Sequence, residues 1–291
     1  MESNVKKQAK ILFFKTNRRI FSKKNLTLAI LFFILINIYI SPIKDFSILS
    51  GYNVTIWIYP FLISDANFLA LFIAGVIYYF SDVPFMQKAN SYYLLRQGRR
   101  SWMLEQLVYI VVSSFIITIV SILMSVFSTL PYVTFELDWG NVLYTLARTN
   151  AGQMVGMFWK ISLHFIRNYN PVYGMLLSIL LTIMGIVFLG TLMFFTSLYV
   201  NRTTSILVAT FLVIYSAVVA NIGNAYEKGF AMISPASWLR VTRINAVEYG
   251  YSVSPPLSYI LICFSFLIIL LIGFINRRCM KIDLIWGRED E

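Results

Sequence analysis

Long apolar runs, nearly free of charge, alternate along this chain with shorter polar stretches. The runs are 26–41, 61–80, 107–127, 172–200, 204–221 and 257–275. About 20 apolar residues in helical form cross the hydrocarbon core of a bilayer, so each run predicts a membrane-spanning helix. A β-barrel would instead alternate apolar and polar positions over strands of about ten residues. The pattern therefore predicts an all-α polytopic membrane protein with six transmembrane helices. The fourth run, 172–200, exceeds what a span needs, which permits tilt or protrusion.

The segments between the runs differ in kind. Residues 5–21, "VKKQAKILFFKTNRRIF", place Val5, Ala9, Leu12, Phe13, Thr16 and Ile20 on one helical face, with Lys7, Lys15, Arg18 and Arg19 mostly off it. They read either as an N-terminal interfacial helix or as a basic flank that fixes orientation. The run that follows ends in "NIYISPIKDF" with no small-residue cleavage site, so the first span is expected to be retained. Segments 128–171 and 222–256 are long enough to be structured. Within the first, "AGQMVGMFWKISLHFIRN" predicts a helix with Met154, Phe158, Ile161 and Phe165 on one stripe, lying on the outer surface or over the external mouth. The second predicts short helices broken by turns. The organisation is thus a basic N-terminal part (1–25), one six-helix membrane domain (26–275) with a cytoplasmic loop at 82–105, and a tail (276–291).

Composition and charge sharpen this picture. The chain is 58% hydrophobic and 13% charged, where soluble domains carry about 25% charged residues. Its net charge of +11 would suggest nucleic acid in a soluble protein. Here the basic residues follow topology. With both termini cytoplasmic, 1–25, 82–105, Arg202 and 276–291 hold 17 of the 24 Lys and Arg. That is the positive-inside bias, and no nucleic-acid partner is expected. Anionic lipid is a secondary attraction.

Candidate chemistry is sparse. There is no G-x-x-x-x-G-K-[ST] phosphate loop, no H-E-x-x-H, and one histidine, His164, read as a surface residue. No catalytic set, metal site or cofactor is expected in the chain, so it is not read as an enzyme. Cys263 and Cys279 provide neither a disulfide framework nor a metal spacing. The last four spans have no ionisable residue at their centres, where coupled transporters carry theirs. Asp65, near the external end of the second run, reads as the N-cap of a helix starting at Ala66. Trp57, Tyr59, Tyr78 and Tyr79 read as interface markers. One face within a span stands out. Ser114, Thr118, Ser121 and Ser125 recur at helical spacing, and Gly174, Ser178, Thr182 and Gly185 repeat the theme in the fourth span. Small polar residues let helices approach and hydrogen-bond. The face is a helix-packing seam or part of a translocation path, and the two are compatible.

The loop "SYYLLRQGRRSWMLEQ" (91–106) combines both kinds of signal. Arg96, Arg99 and Arg100 hold it on the cytoplasmic side. Tyr92, Tyr93, Leu94 and Leu95 beside them suit either a docking surface, with Arg forks for a partner's carboxylates, or a position on the membrane surface. The six-span layout, "SDVPFMQKANSYYLLRQGRRSWMLEQLVYIVVSS" (81–114) and "ISPASWL" (233–239) resemble the permease subunit of bacterial type-2 ABC exporters. The first stretch is similar to that family's loop between spans two and three, and the second to its external re-entrant region. The resemblance implies a homo- or heterodimer of permease subunits in the bacterial cytoplasmic membrane. Two separate ABC ATPase subunits would bind ATP and Mg. The ATPase contact would fall on Tyr92, Tyr93, Leu94, Leu95, Arg96, Arg99, Arg100 and Glu105. The chain departs from the family's usual layout in its long segment 128–171. The bare spans favour a hydrophobic or amphipathic cargo, a peptide or a lipid. A reading from another class is a non-transporting immunity, sensor or assembly protein.

Overall fold

The computed structural model of the chain describes residues 22–82, 98–222, 226–248 and 250–280. The N-terminal interfacial helix expected over 5–21, most of the tail, and Tyr92, Tyr93, Leu94, Leu95 and Arg96 lie outside the described residues. The described chain is mostly helical. Its elements are α1 (Lys23–Ser50), β1 (Val54–Thr55), α2 (Tyr59–Ser64), α3 (Ala66–Phe80), α4 (Arg99–Thr129) and β2 (Val133–Thr134). There follow α5 (Gly140–Arg148), α6 (Ala151–Met154), α7 (Leu163–Asn168), α8 (Pro171–Tyr199), α9 (Arg202–Ala220) and α10 (Glu227–Met232). Two 3-10 turns (Ser237–Leu239 and Val241–Arg243), β3 (Val247–Glu248), β4 (Tyr251–Ser252) and α11 (Leu257–Cys279) complete it. Among the described residues, α1, α4, α8, α9 and α11 are long and apolar enough to cross a membrane, the make-up of a multi-pass membrane protein.

Local chemistry sets the helix limits. Ser22 Oγ accepts from Asn25 N at the start of α1, and Gly51, in the left-handed region at φ +71°, ends it. Pro42 lies inside this helix and lacks the N–H that would bond the Ile38 carbonyl. Ser41 Oγ donates to that carbonyl at 3.3 Å, so α1 runs past the end of the predicted run. The second run differs most from expectation. It is not one span but two helices, α2 and α3, broken at Ser64–Asp65.

The buried core is largely apolar, but α4 turns a small hydroxyl face inward and large apolar side chains outward. On α4, Phe115, Ile119, Leu123 and Phe127 are exposed, while Ser114, Thr118, Ser121 and Ser125 are buried. Lipid imposes this arrangement, because large apolar side chains lose nothing by facing it and small hydroxyl side chains let helices close. α9 and α11 likewise expose Phe211, Ile214, Phe266 and Ile269. At the centre α8 packs against α11, α9, α4, α3 and α2. Its glycines mark the closest approaches. A Cβ at Gly190 would stand 2.7 Å from Ile110, one at Gly185 2.7 Å from Leu239, and one at Gly174 2.9 Å from the Phe165 ring.

Ion pairs collect several helix ends on one side. Asp82, after α3, pairs with Lys24 at the start of α1 and with Arg202 at the start of α9 (3.1 Å). Arg99 Nη1 donates to the Met280 carbonyl at 2.7 Å, and the Arg278 guanidinium lies 5.3 Å from the Tyr199 ring centre. This is the basic end of the bundle. At the far end β1 and β2 pair in parallel, Val54 with Val133 and Thr55 with Thr134. α5, α6 and α7 pack there, fixed by Trp159 Nε1 donating to the Tyr39 carbonyl (2.9 Å) and by Trp139 Nε1 donating to the Tyr169 carbonyl (2.9 Å). The single helix expected over 151–168 does not form. α6 stops before Gly156, at φ +70°, and α7 starts at Leu163. Its predicted stripe is divided: Met154 is 89% exposed, while Ile161 and Phe165 are buried.

The close approaches yield a test. Gly190→Ala should lower stability by about 1–3 kcal/mol through overpacking. Gly273→Ala, with no atom within 4 Å of the added Cβ, should be neutral or stabilising. Thermal unfolding of the purified protein in detergent compares the two.

Candidate functional site

The break in the second run is the most constrained place in the bundle. All six residues of α2 are buried. The chain turns extended at Asp65 (φ −69°, ψ 132°), and its Oδ1 accepts from Asn67 N (3.1 Å) and Phe68 N (2.9 Å), capping α3 as the sequence predicts. On the other side of the break, Ser64 Oγ donates to the Pro60 carbonyl at 2.7 Å. The segment before the last span comes back to meet it. Arg240 Nε donates to the Ser64 carbonyl at 2.9 Å, and Thr242 N donates to Ser64 Oγ at 3.1 Å. A helix end inside an apolar medium needs such partners, since an unsatisfied backbone group there costs several kcal/mol. Ser64, Arg240 and Thr242 carry no mark of this role in the sequence, apart from Arg240 as the one charge in "ISPASWLRV".

Beside α2 lies the hydroxyl face. Ser114, Thr118, Ser121, Ser125, Ser178 and Thr182 are each at most 1% exposed. The structure brings α4 and α8 together over Tyr59, whose hydroxyl stands 3.4 Å from Thr182 Oγ1 and 3.5 Å from Ser121 Oγ. The other protons are spent locally. Ser114, Thr118, Ser121, Ser125 and Ser178 each donate to a carbonyl one turn back on their own helix, at 2.7–2.8 Å. In this conformation the face packs helices, and its free lone pairs accept. Tyr59 belongs to it rather than to an interface. A second chain lies nearer the basic end, with Tyr109 donating to the Tyr79 hydroxyl and Tyr79 to Ser113 Oγ, both at 3.1 Å. Tyr79, expected at the interface, is thus buried. Tyr78 is 50% exposed and lies under the Lys24 ammonium.

The described part of the docking loop divides. Arg100 is exposed, and Arg99 holds the end of α11. Glu105 is 7% exposed, on the face of α4 that carries Trp102, Gln106 and Tyr109. Trp102 meets Phe194 edge-on at 5.7 Å. Glu105 is therefore turned into the bundle and presents little surface to a partner in this conformation.

Residues 227–243 re-enter the bundle. Buried Glu227 pairs with Arg243 at 3.0 Å. Trp238 Nε1 donates to the Ala231 carbonyl (2.7 Å), and its ring stands edge-on to Phe264 at 4.9 Å. Leu239 fills the notch at Gly185. Next to it lies a small apolar cleft of about 20 Å³ among Phe72, Val76, Leu189, Leu212, Ala236 and Leu239. At the far end His164 sits half-buried on α7.

No protein-family model, no curated protein and no solved structure matches this chain.

The geometry of the hydroxyl face sets an order of sensitivity. Ser121→Ala removes a bond made within its own helix and should change stability by less than about 1 kcal/mol. Tyr59→Phe should also be mild, because both of its contacts are long. Thr182→Leu should cost about 1–3 kcal/mol by overpacking. Melting temperatures of the three variants rank them. Thr182→Leu as mild as Ser121→Ala would contradict a closed seam.

Proposed function

We propose that this chain is the membrane-spanning subunit of an ATP-driven exporter of the type-2 ABC class. It would move a hydrophobic or amphipathic cargo, such as a peptide or lipid, across a bacterial cytoplasmic membrane. ATP and Mg are bound by a separate ATPase subunit, and two membrane subunits form the path. The observation that carries this reading is the return of residues 227–243 into the bundle, where Arg240 and Thr242 bond the break in the second run. It supports the external re-entrant region that the resemblance implies. Counting α2 and α3 as one crossing gives six spans. The basic end, with Lys24, Arg99, Arg100, Arg202 and Arg278, then faces the cytoplasm together with both termini.

On this reading, residues 83–97 join α3 to α4 on the cytoplasmic side and dock on the ATPase. Arg96, Arg99 and Arg100 supply charge, and Tyr92, Tyr93, Leu94 and Leu95 supply contact area. Glu105 acts from inside the bundle. Closure of paired ATPases shifts α3 and α4 between two arrangements, which is the differential contact that coupling needs. The centres of α4, α8, α9 and α11 hold no charged side chain, which suits an apolar cargo.

One observation favours the second reading, an immunity, sensor or assembly protein. At the far end, Phe135, Leu137 and Met154 are each more than three-quarters exposed, and such side chains can bind a partner without transport.

Two experiments test the proposal. The tagged chain, expressed from its own locus and purified in mild detergent, should bring down an ATPase with a phosphate loop. Repeated purification without one would leave the binding-protein reading. Charge reversal at Arg96, Arg99 and Arg100 should lower ATP-driven export by roughly tenfold or more. Cysteine-labelling topology should stay unchanged, whereas inverted topology would show that these charges act only as anchors.

A further inference from the structure

The break at Ser64–Asp65 falls at an unusual depth. α3 has 15 residues, which places the break about 22 Å from the basic end at 1.5 Å per residue. That is inside the outer part of a hydrocarbon core of about 30 Å. Leu239 contacts Gly185, near the middle of α8, so residues 237–243 reach a similar depth. α2 is joined to the rest of the chain by non-helical backbone on both sides. The 51–58 stretch precedes it, and Asp65 follows in extended conformation. It is therefore a separate helical unit between two non-helical joints.

Its contacts are unequal. At the outer end Phe61 meets Trp139 and Phe165 through ring edges (5.1 and 5.8 Å). At Tyr59 the two hydroxyl contacts are long, 3.4 and 3.5 Å. The short, well-formed bonds are those at Ser64, from Arg240 Nε and Thr242 N. A carbonyl in this medium has no water to fall back on. Of these hydrogen bonds the one from Arg240 is the shortest, and it satisfies a backbone carbonyl. Both donors lie on the one short 237–243 segment, so a shift of that segment releases both bonds together.

We propose that α2 is a hinged plug that seals the hydroxyl face of α4 and α8 from the far side, and that Arg240 and Thr242 are its latch. Release of the latch swings α2 off Ser121 and Thr182 and opens the face outward. This rests on reading that face as a path, but the movement itself needs no ATPase.

The test uses the full-length chain in sealed vesicles, with Cys263→Ser and Cys279→Ser as background and Ser121→Cys as reporter. A membrane-impermeant maleimide is supplied to either side. Arg240→Gln should raise the labelling rate from the far-end side by about tenfold, and Arg240→Lys, which keeps one donor, should raise it less. Labelling that stays unchanged in an Arg240→Gln chain with an unaltered melting temperature overturns the latch. If Arg240→Gln loses cooperative melting, Ser64→Ala decides. It removes the acceptor of the Thr242 bond, and faster labelling supports the latch while an unchanged rate overturns it. A latch that responds in a chain that captures no ATPase leaves the plug standing and removes the exporter reading. Captured ATPase with an unresponsive latch does the reverse.

Discussion

A backbone group inside an apolar medium must find its hydrogen bond within the protein, and the break at Ser64–Asp65 is where this chain meets that demand most sharply. Asp65 satisfies the amides that open α3. Arg240 satisfies the Ser64 carbonyl at the end of α2, and Ser64 Oγ in turn accepts from Thr242 N. To bring them there, the chain after α9 must fold back into the bundle, and α8 must carry a glycine where Leu239 enters. The same demand acts on α1, where Ser41 bonds the carbonyl that Pro42 leaves. Both places are thus matched by a polar side chain or a returning segment.

With lipid outside, apolar side chains gain little by burial, so close packing and small polar contacts hold the helices together. That explains why α4 turns Ser114, Thr118, Ser121 and Ser125 inward and Phe115, Ile119 and Leu123 outward. It also explains why α8, with three tight glycine approaches, is the helix on which the others lean. At the basic end a different force operates. Asp82 ties α1, α3 and α9 through Lys24 and Arg202. These pairs are largely exposed and each is worth little by itself. Their geometric effect is to hold the end of α3 against the starts of α1 and α9.

Much of this was legible in the chain. The last three runs, 172–200, 204–221 and 257–275, are close to α8, α9 and α11, because long uncharged stretches leave few alternatives. Asp65 was legible as a cap, since a carboxylate two or three residues before free amides is a local signal. The split of the second run was not, because Pro60 and Asp65 also suit a helix that ends near an interface. The partners of Ser64 lie 176 and 178 residues away, and no local pattern reports such a contact. The inward turn of Tyr79 was not legible for a related reason. Composition near a helix end suggests an interface, while hydrogen bonds with Tyr109 and Ser113 decide which way Tyr79 turns. The stripe over 154–165 failed because periodicity ignores Gly156, whose positive φ ends the helix.

The functional proposal joins these parts. The basic end gathers the helices that a cytoplasmic motor would push, and the far end holds a short buried helix between a cap and a returning segment. Both depend on the second run being broken inside the membrane and clasped there. Oxidative cross-linking of a Ser64→Cys, Thr242→Cys chain in native membranes, with Cys263 and Cys279 replaced by Ser, tests that clasp most directly. Ready formation of an intramolecular disulfide is the result this account predicts. A chain that folds and inserts but never forms it would contradict the clasp and the reading built on it.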